Sequence, residues 1–206
     1  MISIINYELG NVISVQNALN KLGYKNTITR DENIISNSSH LILPGVGAFK
    51  KGIDNLKKFG LDRILSHEVL SRQKQILGIC LGFQLMCKSS EEFGLFNGLG
   101  WLDLEVKKIN NNQLRLPHVG WNKIEIINKN NLFFKNITEN DLLYFNHSYC
   151  GVNKGQEHRK IEDLVECNYG SKFLAAMRFR NIYGIQPHPE KSQKQGLQIL
   201  KNFIEN

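Results

Sequence analysis

The sequence has few of the features that mark secreted, metal-binding or membrane-spanning proteins. Its four cysteines, Cys80, Cys87, Cys150 and Cys167, form no Cys-x-x-Cys pair and no His/Cys cluster with zinc-ligand spacing. There is no charged segment followed by an apolar stretch at the start, and no apolar run approaches the length needed to span a bilayer. These absences predict a reduced, cytoplasmic protein without a metal, a cofactor or a membrane association.

The chain is basic, but its basic residues lack the arrangement that nucleic-acid binding requires. Lys and Arg number 26 against 19 Asp and Glu, which gives a formal net charge of +7 at pH 7. The lysines are scattered among asparagines and acids, and no basic run alternates with stacking aromatic side chains. We therefore expect no nucleic-acid partner. A basic face for an anionic substrate or an acidic partner subunit remains compatible with the charge.

The order of apolar segments predicts an α/β fold, and the length of 206 residues fits one domain, 1–206. In the first half we expect strands at 2–5, 24–29 and 40–43, a helix that ends at Gly23, and helices over 48–70 broken at Gly60. Beyond residue 100, short alternating segments predict strands at 102–109, 123–127, 142–145 and 164–167. Strands at 173–178 and 182–186 and a helix at 193–204 follow. The expected architecture is a mostly parallel central sheet with flanking helices and an added antiparallel or mixed strand region.

One stretch, residues 75–87, predicts a strand, a sharp turn and a helix around a single cysteine. Cys80 lies between Gly78 and Gly82, and the residues at helical spacing after it are Leu81, Gln84, Leu85 and Lys88. This is the cysteine version of a nucleophile elbow, in which the turn strains the nucleophile's backbone and the glycines admit close neighbours. The helix N-terminus would favour the thiolate of Cys80. The alternative is a small buried cysteine in a core strand.

A nucleophilic cysteine needs a base, and one of the six histidines has the right surroundings. His188 and Glu190 are two residues apart, so on extended backbone they project to the same side. The carboxylate can then hold the tautomer and the orientation of the imidazole. Pro187 and Pro189 exclude a helix around His188. The sequence therefore predicts a catalytic triad of Cys80, His188 and Glu190, although a proline-rich turn with solvated charges is the alternative for the histidine segment.

These two segments together resemble the class I (triad) glutamine amidotransferases. Four further motifs narrow the resemblance to the glutaminase subunits of imidazole glycerol phosphate synthase: Tyr7-Glu8-Leu9-Gly10-Asn11, Leu43-Pro44-Gly45-Val46-Gly47-Ala48-Phe49, Pro117-His118-Val119-Gly120-Trp121-Asn122 and Tyr144-Phe145-Asn146-His147-Ser148-Tyr149. The similarity covers residues 2–203. It implies hydrolysis of L-glutamine to glutamate and ammonia within the fold of that class.

The resemblance also implies the residues around the triad. Two glycines beside Val46 allow its amide to turn toward a ligand, and the family match makes this amide the oxyanion partner of that of Leu81. In the family this loop is thought to reorient when the loaded partner binds, which makes Val46 the candidate switch residue. The positions that would contact glutamine are Gly45, Gly47, Gln84, Glu92, His147, Ser148 and Tyr149. For Glu92 the alternative is a solvated acidic turn, and for His147 it is a satisfied structural histidine.

By the same resemblance, the ammonia would pass to a (β/α)8 cyclase subunit in a heterodimer. That partner would dock over Asn11, Trp121 and Lys191, and it would make imidazole glycerol phosphate and AICAR in histidine biosynthesis. The segments around His118 and His147 are predicted to be loops, the first on the docking face and the second at the glutamine. Trp121 could instead belong to the core.

Some positions depart from the family pattern and keep a second acceptor open. Pro187 stands where an aromatic residue is usual, Glu8 stands where a small or apolar residue is common, and residues 98–103 lack an Ile-Pro-Gly sequence. The last segment is closer to paralogues that supply ammonia to an N-sugar amidotransferase of surface-glycan synthesis. A stand-alone cysteine hydrolase or chaperone of the related superfamily is the alternative from another class. It would share Cys80 and a histidine but not the His-Pro-Glu segment together with Gln84.

Overall fold

The computed structural model describes residues 1–110, 114–128, 130–152 and 161–206. Within these residues, eight strands form one sheet. Its first five strands are parallel and lie in the order Asn26–Thr29 (β2), Ile2–Ile5 (β1), His40–Gly45 (β3), Gln75–Cys80 (β4) and Ile182–Ile185 (β14). The sheet continues in antiparallel pairing with Ser171–Phe179 (β13), Glu162–Tyr169 (β12) and Glu125–Ile126 (β9). The predicted class, a mostly parallel central sheet with an antiparallel addition, is confirmed.

The helices are α1 (Val12–Lys21), α2 (Glu32–Ser36), α3 (Phe49–Lys58), α4 (Leu61–Ser66), α5 (Leu81–Met86) and α6 (Gln193–Glu205). A π-helical turn, His67–Ser71, continues α4, and a 3-10 turn, Pro189–Lys191, precedes α6. Of the described helices, none combines the length and the apolar character that crossing a membrane requires.

The central strands are apolar on both faces because helices cover both sides of the sheet. Ile4 and Ile42 pack with α1 and α6 in one core, whereas Ile5, Leu41 and Leu43 pack with α3, α4 and α5 in the other. Strand residues that alternate between two buried faces produce the continuous apolar runs expected of parallel strands. The two cores hold the carboxyl ends of β3, β4 and β14 side by side at one edge of the sheet.

Two smaller sheets contain the remaining strands, which lie between residues 87 and 152, whereas the alternating segment at 164–167 is part of β12 in the main sheet. One pairs β8 (His118–Lys123) with β10 (Leu142–His147) in antiparallel register. The other has the order β11-β7-β5-β6, with strands β5 (Cys87–Ser90), β6 (Phe96–Asn97), β7 (Leu102–Lys108) and β11 (Tyr149–Val152). The segments around His118 and His147 are therefore strands, and the prediction of loops there was wrong. Their pairing with each other, Trp121 opposite Tyr144, is a long-range contact that local composition did not indicate.

The elbow helix is shorter than its sequence pattern predicted. It ends at Met86, and Lys88 lies in β5, which pairs with β6 and β7. The sheet contact therefore overrides the helical spacing at this point. The loop predicted to begin at Pro44 also begins later, because Pro44 and Gly45 still pair with Ile79 and Cys80 as part of β3.

Candidate active site

Cys80 occupies a strained turn between β4 and α5. Its backbone has φ 52° and ψ −109°, a conformation that side-chain-bearing residues rarely adopt. Holding such a residue costs on the order of 1–3 kcal/mol, which the surrounding structure must supply. The side chain is 5% exposed. The strain predicted for the nucleophile elbow is therefore present, and the sulfur is held in a nearly buried position.

Gly78 and Gly82, on either side of Cys80, are required by close packing rather than by their own dihedral angles. A Cβ at Gly82 would collide with the carbonyl oxygen of Leu43 in β3, and one at Gly78 would collide with Phe83 and Met86 of α5. The absence of these two side chains lets α5 lie directly against β3 and β4. This contact positions the start of α5 beside the carboxyl end of β3.

His188 and Glu190 form a buried hydrogen-bonded pair behind the cysteine. Nδ1 of His188 lies 2.8 Å from Oε1 of Glu190, and both side chains are 2% exposed. The other ring nitrogen, Nε2, is buried and has no hydrogen-bond partner among the described residues. Burial lowers the pKa of His188, but the nearby Cys80 and Glu190 outweigh it and raise this pKa to about 10. The imidazole is thus held as a cation at neutral pH, with its Nδ1 hydrogen-bonded to the carboxylate of Glu190.

The sulfur of Cys80 also contacts a residue to which the sequence had assigned no role. Gln186, fully buried, places Nε2 3.5 Å from Sγ of Cys80. Its Oε1 accepts a hydrogen bond of 3.1 Å from Nε2 of Gln84, which also donates to the backbone oxygen of Tyr149 at 2.8 Å. The adjacency of Gln186 to the His-Pro-Glu segment was the only available sequence signal.

A cavity of about 260 Å³ opens over Cys80. Most of the predicted contact residues line it, together with the two predicted oxyanion positions: Val46, Gly47, Cys80, Leu81, Gln84, Glu92, His147, Ser148 and Tyr149. Gly45 does not line the cavity; a Cβ there would meet the Tyr7 hydroxyl and the amide nitrogen of Gly82. Two lining residues, Phe93 and Asn146, were missed. Phe93 lies in a turn without a recognisable motif, whereas Asn146 belongs to the motif at 144–149, in which only residues 147–149 were assigned to glutamine.

The register of the sheet explains why Val46 and Leu81 line the same cavity. Gly45 is opposite Cys80 in the parallel pair of β3 and β4, so the next residue of each chain segment leaves the sheet at the same edge. Gly47 then has φ +106°, which requires glycine. Neighbouring parallel strands thus bring two backbone segments to the same side of the sulfur, as an oxyanion hole requires.

Besides Gln84, two more of the predicted contact residues already have structural hydrogen bonds. Glu92 accepts a 2.7 Å bond through Oε2 from the backbone nitrogen of Phe49 at the start of α3. His147 donates from Nδ1 to the backbone oxygen of Tyr149 at 2.9 Å, and its buried Nε2 has no partner in the described ranges. Burial lowers the pKa of His147 to about 3, so its ring is neutral and Nε2 is an acceptor.

Two of the three predicted docking residues, Trp121 and Lys191, lie next to the ring of Tyr144. The ring of Trp121 packs edge-on against Tyr144 at 5.9 Å, and Nζ of Lys191 lies 5.5 Å from the same ring. Trp121 is 44% exposed, so it does not belong to the core. His118 from the same segment is buried against Phe145 and Tyr169, and is therefore not part of the predicted docking face.

Asn11 lies just before α1, whose first turns border the same side of the molecule. Its backbone oxygen accepts a 3.2 Å hydrogen bond from Val15. Ser14 and Lys191 both line a cleft of about 460 Å³ between α1 and the start of α6. The beginning of α1 is therefore next to Lys191, as a shared docking face requires.

Comparison with known proteins gives matches over the whole chain. A family model described as glutamine amidotransferase class-I matches residues 3–206. The chain is 42% identical over 205 residues to "Imidazole glycerol phosphate synthase subunit HisH 2" of Methanococcus maripaludis, covering 99% of this chain and 98% of that protein. It is 40% identical over 206 residues to the protein of the same name from Pseudomonas aeruginosa, covering 100% and 99%. A solved structure described as a glutamine amidotransferase superimposes with a TM-score of 0.75 at 17% identity, covering 98% of this chain and 99% of that one, which supports the fold alone.

Proposed function

The chain belongs to the class-I glutamine amidotransferase family, and from that premise we propose that it is a glutaminase subunit that hydrolyses L-glutamine to glutamate and ammonia. The ammonia passes to a (β/α)8 cyclase subunit that makes imidazole glycerol phosphate and AICAR in histidine biosynthesis. The observation that carries the proposal is the strained Cys80 at the base of a cavity, with the His188–Glu190 pair behind it. We further propose that residues 1–206 act as one amidotransferase domain in the cytoplasm; the family match from residue 3 to 206 supports the first part.

The reaction begins with attack by the Cys80 thiolate on the side-chain amide carbon of glutamine. The carbonyl oxygen becomes an oxyanion, which the backbone amides of Val46 and Leu81 stabilise at the shared edge of β3 and β4. His188 gives its Nε2 proton to the departing nitrogen, ammonia leaves, and a glutamyl thioester remains on the sulfur. The raised pKa of His188 favours this step because the imidazole already carries the proton at neutral pH.

Water completes the turnover by hydrolysing the thioester. After its proton has left, His188 is neutral and accepts a proton from the attacking water. The carbon–sulfur bond breaks, glutamate is released, and the thiolate and the imidazolium are restored. Glu190 keeps Nδ1–H of His188 engaged throughout, so that Nε2 faces the reacting atoms in both steps.

The hydrogen-bond inventory of the cavity suggests how glutamine is held. The amide N–H groups of Gln84 are used by Tyr149 and Gln186, which leaves Oε1 of Gln84 to accept from the substrate. His147 offers a neutral Nε2, and Glu92 retains acceptor capacity although Phe49 binds one of its oxygens. These acceptors suit the α-ammonium group of glutamine. Gly47, Ser148 and the backbone of Tyr149 complete the walls, and Gly45 contributes by letting β3 approach the elbow.

The cyclase docks over the face formed by Asn11, Trp121 and Lys191. Ammonia is useful to the acceptor only when it is kept from solvent, so the partner must cover the cavity mouth. Trp121 provides a half-exposed aromatic anchor of the kind that dominates interface energies. The second candidate acceptor, an N-sugar amidotransferase, would use the same face. It is worth testing because Glu8 and residues 98–103 depart from the sequence pattern of the histidine-pathway subunits.

The test is glutamate release from L-glutamine by this chain, alone and with the same organism's cyclase loaded with its nucleotide ligand. We expect strong stimulation by the cyclase, no turnover by Cys80→Ala, and a weaker stimulation of Trp121→Ala at unchanged thermal stability. Stimulation by a sugar amidotransferase instead of the cyclase would keep the glutaminase and replace the acceptor. Full turnover by Cys80→Ala would refute the proposed mechanism.

A further inference from the structure

We infer that Gln186 is a further catalytic residue, whose side-chain amide donates a hydrogen bond to the sulfur of Cys80 and holds it as a thiolate. The catalytic role of this hydrogen bond rests on the proposed function. The hydrogen bond itself does not, because it depends only on the residues around the sulfur. Gln186 lies one residue beyond β14, and Cys80 is the last residue of β4, so both stand at the edge of the sheet where the cavity opens.

The chain of amides determines which end of Gln186 faces the sulfur. The backbone oxygen of Tyr149 can only accept, so the Gln84 atom 2.8 Å from it must be the donor Nε2. The same Nε2 lies 3.1 Å from Gln186, which must therefore present its oxygen there. Nε2 of Gln186 is left facing Sγ of Cys80 at 3.5 Å. The amide cannot flip without setting two oxygens or two N–H groups against each other in a buried site.

The backbone of Gln186 is held as firmly as its side chain. Its N–H donates to the backbone oxygen of Ala175 at 2.7 Å, and Pro187 follows directly. The residue is 0% exposed, so no solvent competes for the amide within the described packing. A donor that is fixed before the reaction needs no reorganisation when charge develops on the sulfur.

This donor meets a specific need of a nearly buried thiolate. A second polar group near the sulfur, the backbone oxygen of Asn146 at 4.0 Å, is an acceptor and does not favour an anion. His188 favours the thiolate by charge, but it gives its proton away when ammonia leaves. Gln186 does not titrate, so its N–H remains available when the thioester breaks and the sulfur departs with the electron pair. Hydrogen bonds to an ion are stronger than those between neutral groups.

The experiment measures the alkylation of Cys80 by iodoacetamide as a function of pH, read by mass spectrometry of the Cys80 peptide in the full chain. Gln186→Met has a similar length and no donor, and Gln186→Leu is a second apolar replacement in case one variant fails to fold. We expect the midpoint of the pH profile to rise by about one pH unit and the rate near neutral pH to fall about tenfold. The kcat of the glutaminase reaction should fall together with the alkylation rate, while the KM for glutamine should change less.

The matched control removes a buried amide elsewhere. Asn202 in α6 is 5% exposed and donates to the backbone oxygens of Phe133 and Lys135 at 3.1 and 2.8 Å. Asn202→Leu should lower the melting temperature and leave the alkylation profile unchanged. An unchanged profile in both folded Gln186 variants would overturn the inference. A shifted profile in a chain that never hydrolyses glutamine would uphold the contact with the sulfur and reject the proposed function.

Discussion

The buried ion pair between Glu68 and Lys74 allows a stability effect to be worked out from the structure. Their side chains are 2% and 9% exposed, and Nζ of Lys74 lies 2.7 Å from Oε2 of Glu68. Lys74 also donates to the backbone oxygens of Ile35 and Ser36, while Oε1 of Glu68 accepts from the hydroxyl of Ser36 and from Arg72. The pair therefore joins the end of α2 to the segment that leads into β4.

Replacing Glu68 with Gln should leave the ammonium of Lys74 buried without a counter-charge. Removing one partner of a buried pair costs about 3–5 kcal/mol, and the two carbonyls that still accept from Lys74 favour the lower figure. For a chain of this length, about 1 kcal/mol corresponds to about 2–4 °C, so the melting temperature should fall by about 6–12 °C. The control is Glu125→Gln: Glu125 pairs with Lys172 at 2.6 Å, but both are about half exposed, and the loss should stay below about 1 kcal/mol.

The pH dependence of this effect has a definite sign. Burial alone would raise the pKa of Glu68, but hydrogen bonds from Lys74, Ser36 and Arg72 outweigh it and hold this pKa below 4.5. A carboxylate with a depressed pKa stabilises the fold above its unfolded pKa, and this contribution is lost as the pH falls through the folded value. The difference in melting temperature should be complete at pH 7 and shrink below about pH 4.5. A difference at pH 7 no larger than that of Glu125→Gln would refute the reasoning.

Two further predictions concern the site itself. Glu190→Gln removes the carboxylate that holds the imidazolium, so the pKa of His188 should fall. In steady-state kinetics measured against pH, kcat for glutamine should drop by about 10²–10⁴, with a smaller change in KM. Wild-type turnover of this variant would contradict the role of Glu190. Gly82→Ala places a Cβ against the carbonyl oxygen of Leu43, so a denaturant titration should show a loss of more than about 3 kcal/mol in the free energy of unfolding. The control is Gly100→Ala, which has open space around the new Cβ and a positive φ, and it should cost about 1 kcal/mol. Equal losses at the two glycines would contradict the close packing of α5.

Local sequence was sufficient for the elements whose causes are local. The strand, turn and helix around Cys80 follow from an apolar run, two glycines and helical spacing, and the structure has all three with the predicted strain at Cys80. The pairing of His188 with Glu190 follows from their separation by two residues, but the predicted extended backbone holds only at His188, because Pro189–Lys191 form a 3-10 turn. The functional roles assigned to these residues remain predictions, which the kinetic and alkylation experiments test.

Non-local pairing decided what local composition could not. The segments containing His118 and His147 are paired strands because the backbone groups of each form hydrogen bonds with those of the other. The elbow helix ends at Met86 because the next residues pair with a sheet. Phe93 and Asn146 reach the cavity only through the arrangement of distant elements.

By itself, the sequence determined the elbow, the histidine–carboxylate pair and the α/β class, since each depends on residues close together in the chain. Only the tertiary structure decided that Gln186 faces the sulfur of Cys80, 106 positions away in the chain. That contact depends on β14 lying beside β4 and on the amide of Gln84 orienting its neighbour. Sheet order and a buried hydrogen-bond chain are properties of the packed molecule, which no short stretch of residues can specify alone.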